Sequence, residues 1–225
     1  MTTKMARPEA LIFDMDGTLF KSESIFVEAF HLAMNDLRKE GLYAGENPSE
    51  KVLLGSLGLL LDDIWNRVLP KSTKAARERL NDLVLDYQIE NLKAGKGELY
   101  PRVRETLERL RNSGMQLFVA SNGLELYVKK VAEHTDIAHL FTGLYSAGEY
   151  QTASKNDLVK LLLDTHRVSS AWMVGDRLSD VAAGKANGLT VIGCDYAGYG
   201  HDHELAEADA VITAFAQLPE LIAAE

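Results

Sequence analysis

Apolar residues follow two different spacings along the chain, and these predict two kinds of structure. Short uninterrupted apolar runs occur near the start and throughout the second half, and such runs are typical of strands buried on both faces of a sheet. Between residues 21 and 94 the apolar residues recur at spacings of three and four, the period of an amphipathic helix. The pattern therefore predicts an α/β protein with a helical segment inserted after its first strand.

Six apolar runs predict six strands. They are Ala10 to Phe13, Met115 to Ala120, Leu144 to Ala147, Ala171 to Val174, Thr190 to Gly193 and Ala210 to Ile212. From Tyr100 onwards helical patterns alternate with these runs, which indicates a parallel, Rossmann-like sheet with helices on both faces. Right-handed crossovers then put the first strand in the centre, between the strand of Met115 and the strand of Ala171.

The inserted segment contains three amphipathic patterns, over Ser24 to Lys39, Lys51 to Leu69 and Thr73 to Leu92. Gly55 and Gly58 interrupt the second pattern. Because no strand is predicted in this region, we expect a compact helical cap over residues 21–95 and an α/β core over residues 1–20 and 96–225. The glycines at the return point, in Gly95-Lys96-Gly97, are expected to act as a hinge.

Composition limits the possible partners. The chain has 225 residues, 46% hydrophobic and 25% charged, as in an ordinary globular protein. Its net charge of -9 disfavours nucleic acid or an anionic membrane as a partner, because both bind basic surfaces, and an anionic substrate needs a local cation. Met1 to Arg7 lack the apolar segment of a signal peptide, and no run could span a membrane. We expect a cytoplasmic protein, monomeric or a small homo-oligomer, in which Cys194 is a small buried hydrophobe.

Two carboxylates stand at the end of the first predicted strand. Asp14 and Asp16 follow the apolar run directly, and Gly17 lets the chain turn sharply after them. In open α/β sheets, ligands bind at the carboxyl ends of the strands, so both acids are placed for chemistry. Taken alone, Asp-Met-Asp-Gly is also a common way to build a turn after a strand.

Three further motifs follow later strands or begin helices. Ser121 and Asn122 come after the second strand, Lys155 precedes a helix, and Asp176 and Asp180 follow the fourth strand. The predicted topology brings all of them to the same sheet edge as Asp14. Each has a structural alternative: Ser121 as a helix N-cap, Lys155 as a solvated lysine, and Asp176 with Asp180 as a capping pattern beside Arg177.

These acids and Lys155 could act on a phosphate ester if positive charge in the site balances the negative charge. Two unit repulsions at ~4 Å cost about 8 kcal/mol at an effective dielectric constant near 20, so a carboxylate nucleophile needs cations nearby to approach a phosphate dianion. Asp14, Asp176 and a backbone carbonyl form a hard oxygen set suited to Mg²⁺. Lys155 supplies a second positive charge.

The order and spacing of these four motifs resemble the haloacid dehalogenase superfamily across essentially the whole chain. The resemblance implies that Asp14 attacks phosphorus to form an aspartyl phosphate. It implies that Asp16 protonates the leaving oxygen and then activates water, while its main-chain carbonyl joins Asp14 and Asp176 as metal ligands. Ser121, Asn122 and Lys155 are then expected to hold the phosphoryl oxygens, and Asp180 is expected to be an outer partner of the metal or of Lys155.

Asp16 distinguishes branches of the superfamily, because dehalogenases proper lack a carboxylate two residues after the nucleophile. Together with the helical insert, it makes the chain resemble the phosphoglycolate phosphatase branch. We expect a Mg²⁺-dependent phosphatase acting on a small phosphorylated metabolite, with phosphoglycolate, sugar phosphates and nucleotides as candidates. The alternatives are a phosphomutase of the β-phosphoglucomutase type and a noncatalytic binding protein.

Two further stretches of charged residues lie outside these motifs. Lys21 lies near the cap entrance, and we hypothesise that it attracts a second anionic group of the substrate. An exposed lysine at a hinge is the alternative. The sequence His201-Asp202-His203-Glu204 has the composition of a metal site, but a solvated loop is the preferred interpretation.

Overall fold

The computed structural model describes residues 4–198 and 203–223. Six parallel strands form one sheet in the order β3-β2-β1-β4-β5-β6. The strands are β1 Ala10–Phe13, β2 Gln116–Ser121, β3 Gly143–Ser146, β4 Ala171–Gly175, β5 Thr190–Cys194 and β6 Ala210–Ile212. The α/β Rossmann-like sheet and the central position of β1 are therefore confirmed.

Nine α-helices are found in the described residues. They are α1 Glu23–Lys39, α2 Glu50–Leu54, α3 Leu61–Val68, α4 Lys74–Lys93, α5 Val103–Asn112, α6 Glu125–His134, α7 Ala147–Tyr150, α8 Lys155–His166 and α9 Leu178–Ala186. Two 3₁₀-helices, Ala138–Leu140 and Phe215–Leu221, complete the chain. Within the same described ranges, none of the helices has the length and hydropathy of a membrane span.

The central strand β1 is buried on both faces, which explains why its sequence is apolar at every position and does not alternate. All four residues of β1 are fully buried. Leu11 and Phe13 belong to the hydrophobic cluster on one face of the sheet, while Ala10 and Ile12 belong to the cluster on the other. A strand covered on both faces must be apolar at every position, and the same reasoning explains the burial of Cys194 at the end of β5.

Residues 21–94, all of which are described, contain helices α1 to α4 and no strand. A separate hydrophobic cluster, formed by side chains between Phe26 and Val84, holds these helices together. The single helical pattern predicted over Lys51 to Leu69 is in fact two short helices, because residues 55–60 leave the helical conformation and Gly58 has φ = +79°. We propose that this unit is the cap.

The two segments that join this unit to the sheet pair with each other. The Lys21 N–H donates to the Glu98 carbonyl at 2.8 Å, and the Tyr100 N–H donates to the Leu19 carbonyl at 3.0 Å. The Lys21 ammonium forms an ion pair with Glu98 at 2.9 Å. Lys21 therefore already has an anionic partner at the entrance, which weighs against the hypothesis that it attracts a second anionic group of the substrate.

Candidate active site

The carboxyl ends of the central strands bring the predicted residues together. Asp14 follows β1, Ser121 ends β2 and Asp176 follows β4, and β1 lies between the other two strands. Lys155 is the first residue of α8 and Asp180 lies in the first turn of α9. These five side chains are buried at one edge of the sheet.

Lys155 lies between two carboxylates. Its Nζ is 2.8 Å from Oδ1 of Asp14 and 2.7 Å from Oδ1 of Asp180. Burial opposes the ammonium charge, but Asp14 and Asp180 outweigh it and raise the pKa of Lys155 above its usual range. Lys155 is therefore a fixed positive charge in the site and not a solvated lysine.

Asp14 has one bound oxygen and one free oxygen. Oδ1 accepts the Lys155 contact, whereas Oδ2 is buried and has no hydrogen-bond partner. Burial, only partly offset by Lys155, raises the pKa of the Asp14 carboxyl to about 7, and Asp180 and Asp16 add to the shift. A buried oxygen without a partner is costly unless a bound group uses it.

Asp176 completes a cluster of carboxylates with Asp14 and Asp180. One oxygen from each of these three side chains lies within 4.8 Å of the others. Oδ1 of Asp176 accepts a hydrogen bond from Thr18 Oγ1 at 3.0 Å. Burial, followed by the nearby Asp14 and Asp180 charges, raises the pKa of Asp176 well above its usual range.

Two glycines make room for this cluster. A Cβ at Gly17, where φ is +80°, would lie 2.3 Å from Oδ2 of Asp176, and a Cβ at Gly175 would lie 2.2 Å from Cγ of Asp180. Both distances are shorter than any packed contact. The carboxylates therefore occupy their positions only because both residues lack a side chain.

The donor set fits a hard divalent cation. The three carboxylates lie close together, one ammonium contacts two of them, and the free Oδ2 of Asp14 has no protein donor. A cation with carboxylate ligands would offset both the burial and the mutual repulsion that raise the pKa values of Asp14 and Asp176. Mg²⁺ is the ion whose oxygen preference and phosphate-bridging role match this set, and Asp14 and Asp176 are the side chains that would hold it.

Asp180 has two roles in the fold. Its Oδ1 contacts Lys155, and its Oδ2 accepts the Arg177 N–H at 2.9 Å as part of a capping box at the start of α9. Asp180 therefore both caps α9, as the structural alternative predicted, and contacts Lys155. Arg177 itself is buried and not a surface residue, with its Nε 2.9 Å from Glu204.

Asp16 is held by two hydroxyl groups that could not be selected from the sequence. Ser22 Oγ and Tyr127 OH donate to Oδ1 of Asp16 at 2.6 and 2.5 Å. Burial raises the pKa of Asp16 despite both hydrogen bonds, and burial with the Asp16 charge raises the pKa of Tyr127. Tyr127 lies on the inward face of α6, so the helical pattern of the sequence did not distinguish it from a core residue.

Ser121 and Asn122 form the turn between β2 and α6. Ser121 Oγ accepts the Gly123 N–H at 3.1 Å, and the N-cap of α6 is Leu124, so Ser121 is not the helix cap. Asn122 Nδ2 donates to the Gly58 carbonyl of the helical unit at 3.0 Å, while its Oδ1 is buried without a partner.

The helical unit also contacts the fourth motif. Arg177 Nη1 donates to the Leu57 carbonyl at 2.5 Å. Together with the hydrogen bond from Asn122 Nδ2 to the Gly58 carbonyl, this contact holds residues 57–58 over the site.

In the predicted solvated loop, His201 and Asp202 lie outside the described residues. Glu204 accepts hydrogen bonds from Arg177 Nε and the Leu178 N–H at 2.9 and 2.8 Å.

Comparison with known proteins identifies the family of this chain. The family model for haloacid dehalogenase-like hydrolases matches residues 11–194. A phosphoglycolate phosphatase of Aliivibrio fischeri is 28% identical over 212 residues, covering 88% of both chains. A 5'-nucleotidase of Pseudomonas aeruginosa is 25% identical over 198 residues, covering 87% of this chain and 86% of the relative.

Among solved structures, that of a predicted phosphoglycolate phosphatase from Haemophilus somnus 129PT has a TM-score of 0.81 at 22% identity, covering 96% of this chain and 99% of the other. This likeness supports the fold, and the family match covers most of the chain. The chain therefore belongs to the haloacid dehalogenase-like hydrolase family, and it is a phosphatase of that family.

Proposed function

We propose that the protein is a Mg²⁺-dependent phosphatase that hydrolyses a small phosphate monoester through an aspartyl phosphate on Asp14. The observation that carries this proposal is the state of the Asp14 carboxylate. One of its oxygens contacts Lys155, and the other is buried without a partner beside Asp176. An oxygen in this state is available to phosphorus or to a cation.

The first step transfers the phosphoryl group to Asp14. An Asp14 oxygen forms a bond to phosphorus as the bond between phosphorus and the ester oxygen breaks, and the proton of Asp16 passes to that departing oxygen. Asp16 suits this role because burial raises its pKa and so favours the protonated form. Ser22 and Tyr127 fix the orientation of the carboxyl through its Oδ1.

The second step returns the enzyme to its starting state. Asp16 accepts a proton from water as the water oxygen attacks phosphorus, and the bond between phosphorus and Asp14 breaks. The products are the alcohol and inorganic phosphate, and Asp16 is again protonated.

Positive charge must balance the phosphoryl oxygens in both steps. Lys155 supplies one fixed charge, and Ser121 and Asn122, in the turn after β2, are proposed to orient the phosphoryl group. Bound Mg²⁺ would supply further charge neutralisation to the phosphoryl group. Asp180 is proposed as a positioning residue that acts through Lys155.

The substrate is proposed to be a small phosphorylated metabolite. The relatives are named for phosphoglycolate and for 5'-nucleotides, and these remain candidates together with sugar phosphates.

The experiment that tests this function measures phosphate release from a panel of phosphorylated metabolites, with and without Mg²⁺. Wild type is compared with Asp14→Asn, which keeps the shape of the side chain. We expect release that requires both Mg²⁺ and Asp14. Equal release by Asp14→Asn would contradict the proposed nucleophile. Little phosphate release together with a requirement for a bisphosphate would instead favour the phosphomutase alternative.

A further inference from the structure

A cavity of about 70 Å³ lies beside Asp16, between the helical unit and the turn after β2. Asn122, Gly123 and Tyr127 form its wall on the sheet side. The opposite wall consists mainly of apolar side chains from α1, α3, α4 and residues 57–59, including Phe26, Leu57, Leu61, Ile64, Trp65 and Val84. Since Asp16 is the proposed acid for the departing oxygen, the alcohol part of the substrate would occupy this cavity. We call it the leaving-group chamber.

Three side-chain amides line the chamber. Asn81 Oδ1 already accepts a hydrogen bond from Trp65 Nε1. Asn122 Oδ1 is buried without a partner, and the buried residue Gln88 also lines the chamber. A buried amide without a partner is satisfied when a ligand supplies a hydroxyl or another polar group.

No cation lines the chamber within the described part of the chain. Asp16 and Tyr127 are its titratable groups, and both are neutral or negative. Lys21, in the segment that connects β1 to the helical unit, pairs with Glu98 and does not line the chamber. Arg177 pairs with Glu204 and with the Leu57 carbonyl, and it does not line the chamber.

We infer that the leaving-group chamber selects phosphate esters of uncharged alcohols that have an apolar face and one or two hydrogen-bonding groups. This inference rests on the proposed function, because it assigns the alcohol part of the substrate to the side of Asp16. A second anionic group would lose its hydration in an apolar chamber next to Asp16 and would find no cation there. The chamber therefore disfavours phosphoglycolate and sugar bisphosphates, although relatives are named for phosphoglycolate.

Matched substrate pairs test this selectivity directly. In one pair, 2-phosphoglycolate is compared with 2-hydroxyethyl phosphate, and in a second, 3-phosphoglycerate is compared with glycerol 3-phosphate. Each pair differs by replacement of a carboxylate with a hydroxymethyl group. We expect kcat/KM for the neutral member to be higher by on the order of 100-fold. We also expect kcat/KM to be higher for benzyl phosphate than for methyl phosphate, because the benzyl ring can pack against the apolar wall.

A charge-insertion variant assigns the effect to the chamber. Gln88→Lys adds a cation to the wall, and we expect it to reduce the preference for the neutral ester by on the order of tenfold. Glu90→Gln, an exposed position on the same helix, makes the same change in net charge outside the chamber and should leave the preference unchanged. Circular dichroism of both variants checks that they fold.

A binding measurement provides a readout that needs no turnover. Trp65 lines the chamber, and the only other tryptophan of the chain, Trp172, is buried in β4. We expect 2-phenylethanol to change the tryptophan emission of the wild type, and phenylacetate to do so only at concentrations on the order of 100-fold higher.

The outcomes separate the inference from the proposed function. Phosphate release that is as efficient from 2-phosphoglycolate as from 2-hydroxyethyl phosphate, or equal binding of phenylacetate and 2-phenylethanol, would overturn the inference alone. If the protein released phosphate from none of the esters, the proposed function would be overturned. The fluorescence titration would then still decide whether the chamber prefers an uncharged ligand.

Discussion

Nζ of Lys155 lies 2.8 Å from Oδ1 of Asp14, and both side chains are almost completely buried. The same ammonium contacts Asp180 at 2.7 Å, so one lysine neutralises part of a cluster of three carboxylates. The lysine is therefore a structural element of the site as well as a partner proposed for the phosphate. The two roles can be separated by comparing stability with activity.

Lys155→Met is expected to lower the free energy of unfolding by about 3 kcal/mol and to abolish phosphate release. Removal of one partner from a buried ion pair leaves the other charge uncompensated. Urea unfolding monitored by circular dichroism measures the change. Lys160→Met on the same helix is the control, because its ion pair with Asp164 is exposed and should contribute less than ~1 kcal/mol. Equal losses in the two variants would contradict this account.

Tyr127→Phe is expected to lower kcat/KM for alkyl phosphates by on the order of tenfold, because Asp16 loses one of the two hydroxyl groups that orient it. For p-nitrophenyl phosphate the loss should be smaller, since that leaving group needs little protonation. The measurement is kcat/KM with both ester types.

Tyr87→Phe is the matched control for this prediction. Tyr87 also donates to an aspartate, Asp36, but the pair lies in the helical unit and does not line the chamber. An equal loss with alkyl and aryl esters in Tyr127→Phe would argue that the hydroxyl supports the structure and not proton transfer.

Gly17→Ala is expected to displace Asp176 and to raise the Mg²⁺ concentration required for half-maximal activity by at least ~10-fold. The added Cβ would lie 2.3 Å from the Asp176 carboxylate, in addition to the cost of an alanine at φ = +80°. Gly41→Ala carries the same backbone cost at φ = +73° but has no atom within 4 Å of the new Cβ. The control should lose about 1 kcal/mol of stability and keep the Mg²⁺ requirement of the wild type. An unchanged requirement in both variants would argue against Asp176 as a ligand.

Asp176→Asn is expected to stabilise the protein in the presence of EDTA while it lowers phosphate release. Burial and the charges of Asp14 and Asp180 disfavour the Asp176 carboxylate, which is why its pKa is raised. Replacing it with a neutral amide removes that repulsion and keeps an acceptor for Thr18. A gain of about 1 kcal/mol would raise the melting temperature by ~3 °C. Asp164→Asn, at an exposed ion pair, should give no gain, and a lower melting temperature for Asp176→Asn would refute the prediction.

The sheet could be predicted closely because its strands are short and buried on both faces. Each predicted strand overlaps an observed one, and no strand end differs by more than one residue. The central position of β1 followed from the handedness of crossovers, and the placement of Asp14, Ser121 and Asp176 at one edge followed from β1 lying between β2 and β4. The split of the second helical pattern into α2 and α3 was missed. The apolar residues keep their helical spacing through Gly55 and Gly58, but the backbone between the two helices is not helical.

The sequence by itself determined which residues stand at the ends of the strands, since this depends on local apolar runs and on the regular handedness of the connections. The tertiary structure alone decided which side chains meet there. Tyr127 reaches Asp16 across 111 residues of chain, Arg177 reaches Leu57 across 120, and Asn122 reaches Gly58 across 64. Such contacts depend on how the helical unit packs over the sheet. The absence of a cation from the described wall of the leaving-group chamber depends on the same packing, because a lysine such as Lys21 is near the site in sequence but is paired elsewhere.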